Sequence, residues 1–184
     1  MAHVALEAAV SGHGIFSTLH VADPFQWADR LSGMNATGLL KRESFCDSRQ
    51  VRGIIGQRLL GILCTECSVP YKDVKDSRPM IRTVYEALQT WGDVANVKFR
   101  GKGCPNCGGS GLRNRTAVAE IIITQTDYMM DLLKHGTDIA RANYHKLPTS
   151  DLPMIERAIN LVLAGKVDPF DVMDRVDVIR PKAA

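Results

Sequence analysis

The stretch SGHGIFSTLHVAD, residues 11–23, predicts a short buried strand with polar residues at both of its ends. Residues 14–19 are mostly apolar or β-favouring, which is typical of a strand inside a sheet. His13 and His20 stand on either side of this strand. Ligand-handling side chains lie at strand ends in α/β folds, so both histidines are candidate site residues. A structural role for either histidine is the alternative that this stretch leaves open.

Helices are predicted on both sides of this strand. The first twelve residues form a helical pattern that ends at Gly12, a residue suited to terminate a helix. Asp23 can cap a second helix, which has Pro24 in its first turn, runs through Leu31 and ends at Gly33. A helix, a strand and a helix in succession are typical of an α/β fold, which is the fold class that we predict.

Further elements follow along the chain. Residues 51–63 are expected to form a helix that leads into a strand, and residues 118–124 a central strand. Proline near the first turn and a regular apolar face predict three later helices. These helices begin at Pro79, at Pro153 after a cap by Ser150 or Asp151, and at Asp168-Pro169.

The composition is that of an ordinary globular chain. It has 184 residues, of which 45% are hydrophobic and 23% charged, enough for one domain or one domain with a small insert. The formal net charge of +3 is too small to indicate nucleic acid, and we expect no nucleic-acid partner. The first residues lead into a helical pattern and not a signal peptide. No apolar run approaches the roughly 20 residues of a membrane-spanning helix.

Two Cys-x-x-Cys pairs predict a zinc site. Cys64 and Cys67 form the first pair, and Cys104 and Cys107 form the second, which is flanked by glycines that permit tight turns. Four thiolates are the ligands of a closed, tetrahedral, structural Zn²⁺ site with no open position for catalysis. The spacing favours metal binding in a reducing, cytoplasmic compartment over disulfides. Buried or redox-active thiols without a metal are the alternative.

The segment between the two pairs is long. Residues 68–103 separate them, which is 36 residues, compared with about 15–20 in a minimal zinc ribbon. We therefore expect a small subdomain in which a helix packs beside the metal. The fifth cysteine, Cys46, has no adjacent residue that would lower its pKa, and we expect it to be an ordinary buried side chain.

Residues 11–23 resemble the histidine box of the secretion ATPase superfamily, T-G-H-x-x-x-S-T-L-H-T-N-D. Val21-Ala22 replaces the usual Thr-Asn, and the matching positions are Gly12, His13, Ser17, Thr18, Leu19, His20 and Asp23. Downstream, Gly56-Gln57-Arg58-Leu59 is similar to the family's A-Q-R-L segment, which precedes a cysteine pair. Residues 103–120 are similar to the G-C-x-x-C…G-Y-x-G-R-T-G-I-x-E segment of the type II secretion and pilus extension subfamily. Residues 165–168 with the following helix are similar to the family's G-x-T-S-x-x-E-V tail.

The resemblance implies the C-terminal portion of a RecA-like P-loop ATPase core with a small zinc-binding insert and a helical tail. Residues 1–63 would belong to the core, residues 64–111 would form the tetracysteine zinc subdomain, and residues 112–184 would form the final core strand and the tail. The full protein would be a cytoplasmic homo-hexamer, peripheral to the inner membrane. It would use ATP and Mg²⁺ to power assembly of a type IV pilus or a type II secretion pseudopilus. Its partners would be inner-membrane platform or adaptor proteins.

The resemblance also implies roles for five polar residues. His13 and His20 would sense the γ-phosphate of the nucleotide. Arg30, Gln57 and Arg58 would lie at a nucleotide or subunit boundary, where cationic donors stabilise phosphate oxygens. A solvated surface charge is the alternative for Arg30 and Arg58, and a polar strand-edge position for Gln57.

The chain departs from the family in three elements. Its sequence contains no P-loop G-x-x-G-x-G-K-[ST], no acidic segment and no Walker B glutamate before the histidine box. We therefore expect it to begin just after Walker B in a longer protein and to hydrolyse no ATP by itself. A stand-alone structural zinc module, chaperone-like or nucleic-acid-binding, is the alternative function. The pattern Cys104-x-x-Cys107-x-Gly109-x-Gly111 fits the chaperone-like class.

Overall fold

The computed structural model describes residues 2–34, 38, 40–77 and 79–182. The chain divides into two compact units, each built from two stretches of sequence. Unit 1 comprises Met1–Gly56 and Glu120–Asp151, and unit 2 comprises Gln57–Ala119 and Leu152–Ala184. The three-part division that the resemblance implies stays a prediction, because compact units and inherited parts of a fold need not coincide.

Helices and strands are both present, which confirms the predicted α/β class in the coarse sense of a mixed fold. The helices of the described residues are α1 (Ala2–Val10), α2 (Trp27–Gly33), α3 (Arg42–Phe45), α4 (Tyr71–Val74), α5 (Pro79–Gln89), α6 (Thr126–His135), α7 (Thr137–Tyr144), α8 (Met154–Leu163) and α9 (Pro169–Arg175). Short 3₁₀ turns cover Pro24–Gln26 and Pro105–Cys107. The strands are β1 (Gly53–Leu63), β2 (Val69–Pro70), β3 (Lys98–Phe99) and β4 (Leu112–Ile123). Within the described ranges, no helix has the length and apolarity to cross a membrane.

The strands form two two-stranded sheets. β1 pairs with β4, and the bonds at the two ends of the pair show that the strands are antiparallel. The Thr124 N–H donates to the Arg52 carbonyl at 3.3 Å, and the Cys64 N–H donates to the Gly111 carbonyl at 3.0 Å. In the second sheet β2 and β3 are antiparallel, with Val69 opposite Phe99. β1 therefore ends where the first cysteine pair begins, directly beside the segment that follows the second pair.

The core of unit 1 is aromatic. Phe25 packs edge to face against Tyr128 and Tyr144, with ring centroids 6.1 and 5.7 Å apart. Trp27 is buried and its indole N–H donates to the Tyr128 hydroxyl at 3.1 Å. Arg141 lies over the Phe25 ring at 5.1 Å. These contacts join α2, α6 and α7 with the 3₁₀ turn before α2.

The core of unit 2 is aliphatic and lies between α5 and α8. The two helices contribute residues at helical spacing, as their apolar periodicity predicts. The buried members are Ile81, Val84, Ala87 and Leu88 from α5, and Met154, Ala158, Ile159 and Val162 from α8. The bridging helix α5 thus contributes to the core of unit 2, and its predicted place beside the metal stays a prediction.

Two of the predicted helix starts carry a side-chain cap. Asp23 accepts a hydrogen bond from the Phe25 N–H at 2.9 Å, and Asp168 accepts one from the Phe170 N–H at 2.7 Å. The predicted cap of α8 by Ser150 or Asp151 is wrong, since its N-cap residue is Pro153. Asp151 instead accepts a hydrogen bond from the Ile121 N–H at 2.9 Å.

The predicted buried strand over residues 14–19 is wrong. Residues 13–21 have no regular secondary structure, and the side chain of Phe16 is fully exposed, at 102%. A strand is stable only when a neighbour satisfies its backbone groups, and the described residues place no strand beside this segment. Apolar content alone therefore does not predict burial here.

Residues 51–63 also differ from the prediction. They contain one long strand, β1, and no helix. Two glycines of β1 lie where the backbone closely approaches other residues: a Cβ on Gly56 would lie 2.8 Å from the Pro24 ring, and one on Gly61 would lie 2.7 Å from the Leu112 side chain. Residues 118–124 do contain strand, but β4 pairs with β1 alone in its sheet among the described residues and is not central.

The buried hydrogen bond between Trp27 and Tyr128 generates a stability prediction. Tyr128→Phe leaves the indole N–H without its acceptor and should lower the free energy of unfolding by about 1–3 kcal/mol at pH 7. Burial raises the pKa of Tyr128 from its ordinary 10.0 to about 12, so the unfolded chain loses this proton first as the pH rises. The free energy of unfolding therefore keeps its full value below pH 10. It falls by about 2–3 kcal/mol between pH 10 and 12, because the unfolded chain ionises first.

Denaturant unfolding followed by tryptophan fluorescence at pH 7 and from pH 9 to 12 measures both effects. Tyr71→Phe, at a half-buried ring that stacks on Tyr85 in unit 2, is the control. If Tyr128→Phe kept the full stability of the unaltered chain at pH 7, the Trp27 hydrogen bond would not contribute to the fold. If Tyr128→Phe kept the alkaline profile, burial of the Tyr128 hydroxyl would not be its cause.

Candidate metal centre

Four cysteine sulfurs meet in unit 2. The Sγ atoms of Cys64, Cys67, Cys104 and Cys107 all lie within 4.8 Å of one another. The Sγ–Sγ distances are 3.8 Å between Cys64 and Cys104, 3.9 Å between Cys67 and Cys107, and 3.7 Å between Cys104 and Cys107. These distances exclude disulfides, whose S–S bond is about 2.05 Å long, and all four cysteines are free.

The four sulfurs fit the geometry of a zinc ion. With Zn–S bonds of about 2.3 Å, a regular tetrahedron places its sulfurs about 3.8 Å apart. The three distances above agree with this value. A donor set of four sulfurs is closed to substrate, so the cluster can hold a metal that stabilises the fold. The structure thus brings together the four ligands that the sequence predicts.

The first pair is positioned by the end of β1. Leu63 is the last residue of the strand, and Cys64, which is buried, follows it directly. The Cys64 N–H donates to the Gly111 carbonyl at 3.0 Å, and the Cys64 carbonyl accepts from the Ser68 N–H at 2.9 Å. The latter bond closes the turn that brings Cys67 back beside Cys64.

The second pair is positioned by a short 3₁₀ turn. Cys104 precedes the turn and Cys107 ends it, and the Cys107 N–H donates to the Cys104 carbonyl at 3.1 Å. Gly103 has a φ of +96°, and a Cβ there would lie 2.1 Å from the Gly109 carbonyl oxygen. Only glycine permits this approach, so the glycines around the second pair set the geometry of the turn.

The surroundings of the sulfurs give Cys107 and Cys67 different pKa values. The Cys107 sulfur accepts hydrogen bonds from the N–H groups of Cys104 and Gly111, each at 3.2 Å, and these lower the pKa of Cys107 to about 6. Burial and the neighbouring thiols raise the pKa of Cys67 to about 12. Near neutral pH the cluster therefore holds a thiolate at Cys107 and a thiol at Cys67, and a metal displaces the remaining protons when it binds.

Cys46 is separate from this cluster. It is buried in unit 1 among the residues of the aromatic core. Burial raises its pKa to about 11, so the thiol is protonated and unreactive at neutral pH. This confirms the prediction of an ordinary buried side chain.

The predicted nucleotide-sensing residues of unit 1 are exposed. His13 and His20 lie in the irregular segment of residues 13–21, and Arg30 lies on α2. The side chains of all three reach solvent. Their exposure leaves them available to a ligand, and their roles stay predictions.

Gln57 and Arg58 lie on β1 and line a cavity of about 450 Å³ in unit 2. The other lining residues are Leu59, Arg115 and Arg175. Three guanidinium groups around one cavity form a site that attracts anionic oxygens, such as those of phosphates or carboxylates. The structure therefore groups Gln57 with Arg58, whereas His13, His20 and Arg30 belong to unit 1.

Arg115 and Arg175 were not among the predicted site residues. Arg115 lies on β4, the partner strand of β1, and the pairing of these strands brings it to Arg58. Arg175 lies in the last turn of α9, where its guanidinium also pairs with Asp171 at 2.6 Å. No local pattern connects position 175 with position 58, since their proximity arises from tertiary packing.

Comparison with known proteins places this arrangement in a family. Residues 1–173 match the family of type II/IV secretion system proteins. The type II secretion system ATPase E of Vibrio cholerae serotype O1 is 29% identical over 132 residues, which are 72% of this chain and 24% of that protein. The type IV pilus assembly ATPase PilB of Thermus thermophilus is 30% identical over 127 residues, 68% of this chain and 13% of that protein. The putative type II secretion system protein E of Escherichia coli K12 is 31% identical over 172 residues, 94% of this chain and 32% of that protein.

This chain spans less than a third of the length of each of these relatives. The family match nevertheless covers nearly all of the chain, including the cysteine cluster and every residue of the arginine-lined cavity except Arg175. The chain therefore belongs to the family of type II/IV secretion system proteins.

Proposed function

We propose that this chain is the C-terminal portion of a RecA-like, hexameric ATPase that powers assembly of a type IV pilus or a type II secretion pseudopilus. The observation that carries the proposal is the match of residues 1–173 to the family, two of whose relatives are named as ATPases. The P-loop and Walker B residues, which this sequence lacks, would be supplied by a preceding part of a longer protein.

His13 and His20 would act as nucleotide-sensing residues in that protein. Both side chains are exposed on a segment without regular structure, where they are accessible to a phosphate carried by another part of the protein. A histidine that donates a hydrogen bond to a γ-phosphate oxygen stabilises charge that develops during phosphoryl transfer. Arg30 is exposed in the same unit and would contribute at the same boundary.

Gln57 and Arg58 would contact an anionic group at a nucleotide or subunit boundary. The support is the cavity they share with Arg115 and Arg175, which concentrates cationic donors at one place. In a homo-hexamer such a site would bind either the phosphates of ATP, itself bound to Mg²⁺, or a carboxylate of the adjacent subunit. The assembled ring would work at the cytoplasmic side of the inner membrane, through platform or adaptor proteins.

The four-cysteine cluster would hold one structural Zn²⁺. A closed four-sulfur site contributes to folding and not to the reaction, because the ion has no open coordination position. The cluster lies in unit 2 and joins two cysteine pairs that are distant in sequence, so the ion would stabilise that unit.

Metal content tests the zinc proposal. The chain purified without added zinc should carry one zinc per chain, and Cys64→Ser with Cys104→Ser should carry none and lose the fold of unit 2, because two ligands are missing. Elemental analysis with circular dichroism measures both outcomes. Cys46→Ala, which removes a cysteine of unit 1, should keep the metal. A folded chain without metal would contradict the proposal and favour buried thiols.

The incomplete nucleotide site generates a second prediction. The zinc-loaded chain alone, given ATP and Mg²⁺, should release no phosphate above a blank, since no P-loop lysine is present to hold the β- and γ-phosphates. A continuous phosphate assay measures this. Turnover above the blank that disappears with chelation of Mg²⁺ would show that the chain is active by itself.

A chimera tests the proposed roles of the histidines. Residues 1–173 would replace the matched part of the Vibrio cholerae ATPase, and the chimera should hydrolyse ATP. His13→Ala or His20→Ala should lower kcat by about 100-fold or more, the usual effect of removing a donor to the transition state. His135→Ala, at an exposed histidine in the last turn of α6, is the matched control. Unchanged kcat in both histidine-box variants would remove their assigned role.

A further inference from the structure

A short segment, residues 166–171, runs from the connection between α8 and α9 into the first turn of α9, and it contacts the residues that lead into both cysteine pairs. We call it the clasp. It lies wholly in unit 2, as the cysteine cluster does. Between the clasp and Cys64 the chain runs through more than one hundred residues, so these contacts are tertiary and not local.

The clasp is bonded to the strand that leads into the first pair. The Leu63 N–H donates to the Lys166 carbonyl at 2.9 Å, and Ile62 forms an antiparallel bridge with Val167. The Gly61 N–H donates to the Asp171 carboxylate at 2.7 Å. Three consecutive residues before Cys64 are thus held by the clasp.

The clasp is also bonded to the segment that leads into the second pair. The Arg100 N–H donates to the Asp168 carboxylate at 2.5 Å. The Arg100 guanidinium donates through Nε to the Ser110 carbonyl at 2.8 Å, and the Ser110 hydroxyl donates to the Cys107 carbonyl at 2.7 Å. One chain of hydrogen bonds therefore runs from Asp168 to the backbone of a metal ligand.

The two pairs are further tied to each other around Gly101 and Gly111. A Cβ on Gly101 would lie 1.8 Å from the Cys67 carbonyl oxygen, so the backbone beside Arg100 packs directly on the first pair. The Gly111 N–H donates to the Cys107 sulfur, and its carbonyl accepts from the Cys64 N–H. A shift of Arg100 therefore moves both pairs.

Asp168 is buried, with 5% of its surface exposed. Its neighbour Val167 is fully buried and belongs to the core of unit 2. Burial raises the pKa of its carboxyl, and the N–H groups of Arg100 and Phe170 oppose that effect by hydrogen bonding. A carboxyl out of water costs free energy unless its oxygens have such partners. Asp168 thus holds two backbone segments at once: the first turn of α9 and the approach to Cys104.

We propose that Asp168 and Asp171 are positioning residues for the metal centre, and that the clasp couples metal binding to the folding of α9. Groups around metal ligands fix the ligands' orientation, and their loss typically lowers metal affinity about 10–100-fold. The inference rests on the proposed zinc site and adds to it a pair of residues far from the cysteines in sequence. The coupling is reciprocal, so metal binding stabilises α9 as the clasp stabilises the metal centre.

Metal affinity of the full chain tests the proposal. Co²⁺, whose thiolate complexes absorb visible light, and Zn²⁺ in competition with a chelator of known affinity are the probes. Asp168→Asn should bind both ions about 10–100-fold more weakly. The carboxylate accepts from Arg100 with one oxygen and from Phe170 with the other, whereas an amide has a single acceptor oxygen. Asp171→Asn should weaken binding in the same direction, through the Gly61 contact.

The chain contains a matched control. Asp23-Pro24-Phe25 repeats the sequence and cap geometry of Asp168-Pro169-Phe170, with the Asp23 carboxylate accepting from the Phe25 N–H at 2.9 Å. Asp23 makes this bond within unit 1. Asp23→Asn therefore makes the same side-chain change at a cap of the same kind and should leave the affinity for Co²⁺ and Zn²⁺ unchanged.

Hydrogen exchange of the unaltered chain gives a test that no variant can spoil by misfolding. Removing Zn²⁺ with a chelator should speed exchange of the amides of α9 and leave those of α6 unchanged. Unchanged exchange in α9, or an affinity of Asp168→Asn equal to that of the unaltered chain, would overturn the coupling while leaving the zinc site intact. A chain that binds neither ion would instead overturn the zinc proposal and the clasp's role with it.

Discussion

The structure of unit 2 depends on one constraint: two cysteine pairs, 36 residues apart in sequence, must present their sulfurs at the vertices of one small tetrahedron. Burial and the neighbouring thiols raise the pKa of Cys67, whereas backbone N–H donors lower the pKa of Cys107, and a cation between the sulfurs would stabilise all four as thiolates. The glycines, the 3₁₀ turn and the ends of β1 and β4 are all arranged around that point. The aliphatic packing of α5 on α8 supplies the rigid frame.

Unit 1 is organised by a different interaction, the aromatic contacts of Phe25, Trp27, Tyr128 and Tyr144. These contacts hold α2, α6 and α7 and leave the histidine-containing segment at the surface. The family match covers both units. A cluster of four sulfurs in unit 2 and an exposed, histidine-bearing segment in unit 1 are the features on which the proposed function depends.

The sequence predicts those features that depend on residues close to one another in the chain. The caps at Asp23 and Asp168 depend on residues two positions away, and the cysteine spacing specifies a ligand set by itself. Burial of residues 14–19 depends on a neighbouring strand, and the glycines of β1 are required by Pro24 and Leu112, which are distant in sequence. Arg175 was missed for the same reason, since it reaches the cavity of Arg58 only through the packing of α9.

The bridge between Ile62 and Val167 spans 105 positions of the chain, from 62 to 167. At about 5–20 residues per second of synthesis, the three residues before Cys64 leave the ribosome roughly 5–20 s before their bonding partners in residues 166–171 exist. All four thiols are present before residue 166 is made, so they meet the metals of the cell while their final frame is still incomplete. Under the proposed coupling, the choice of ion is then completed late, when residues 166–171 bond to the strand before Cys64 and to Arg100.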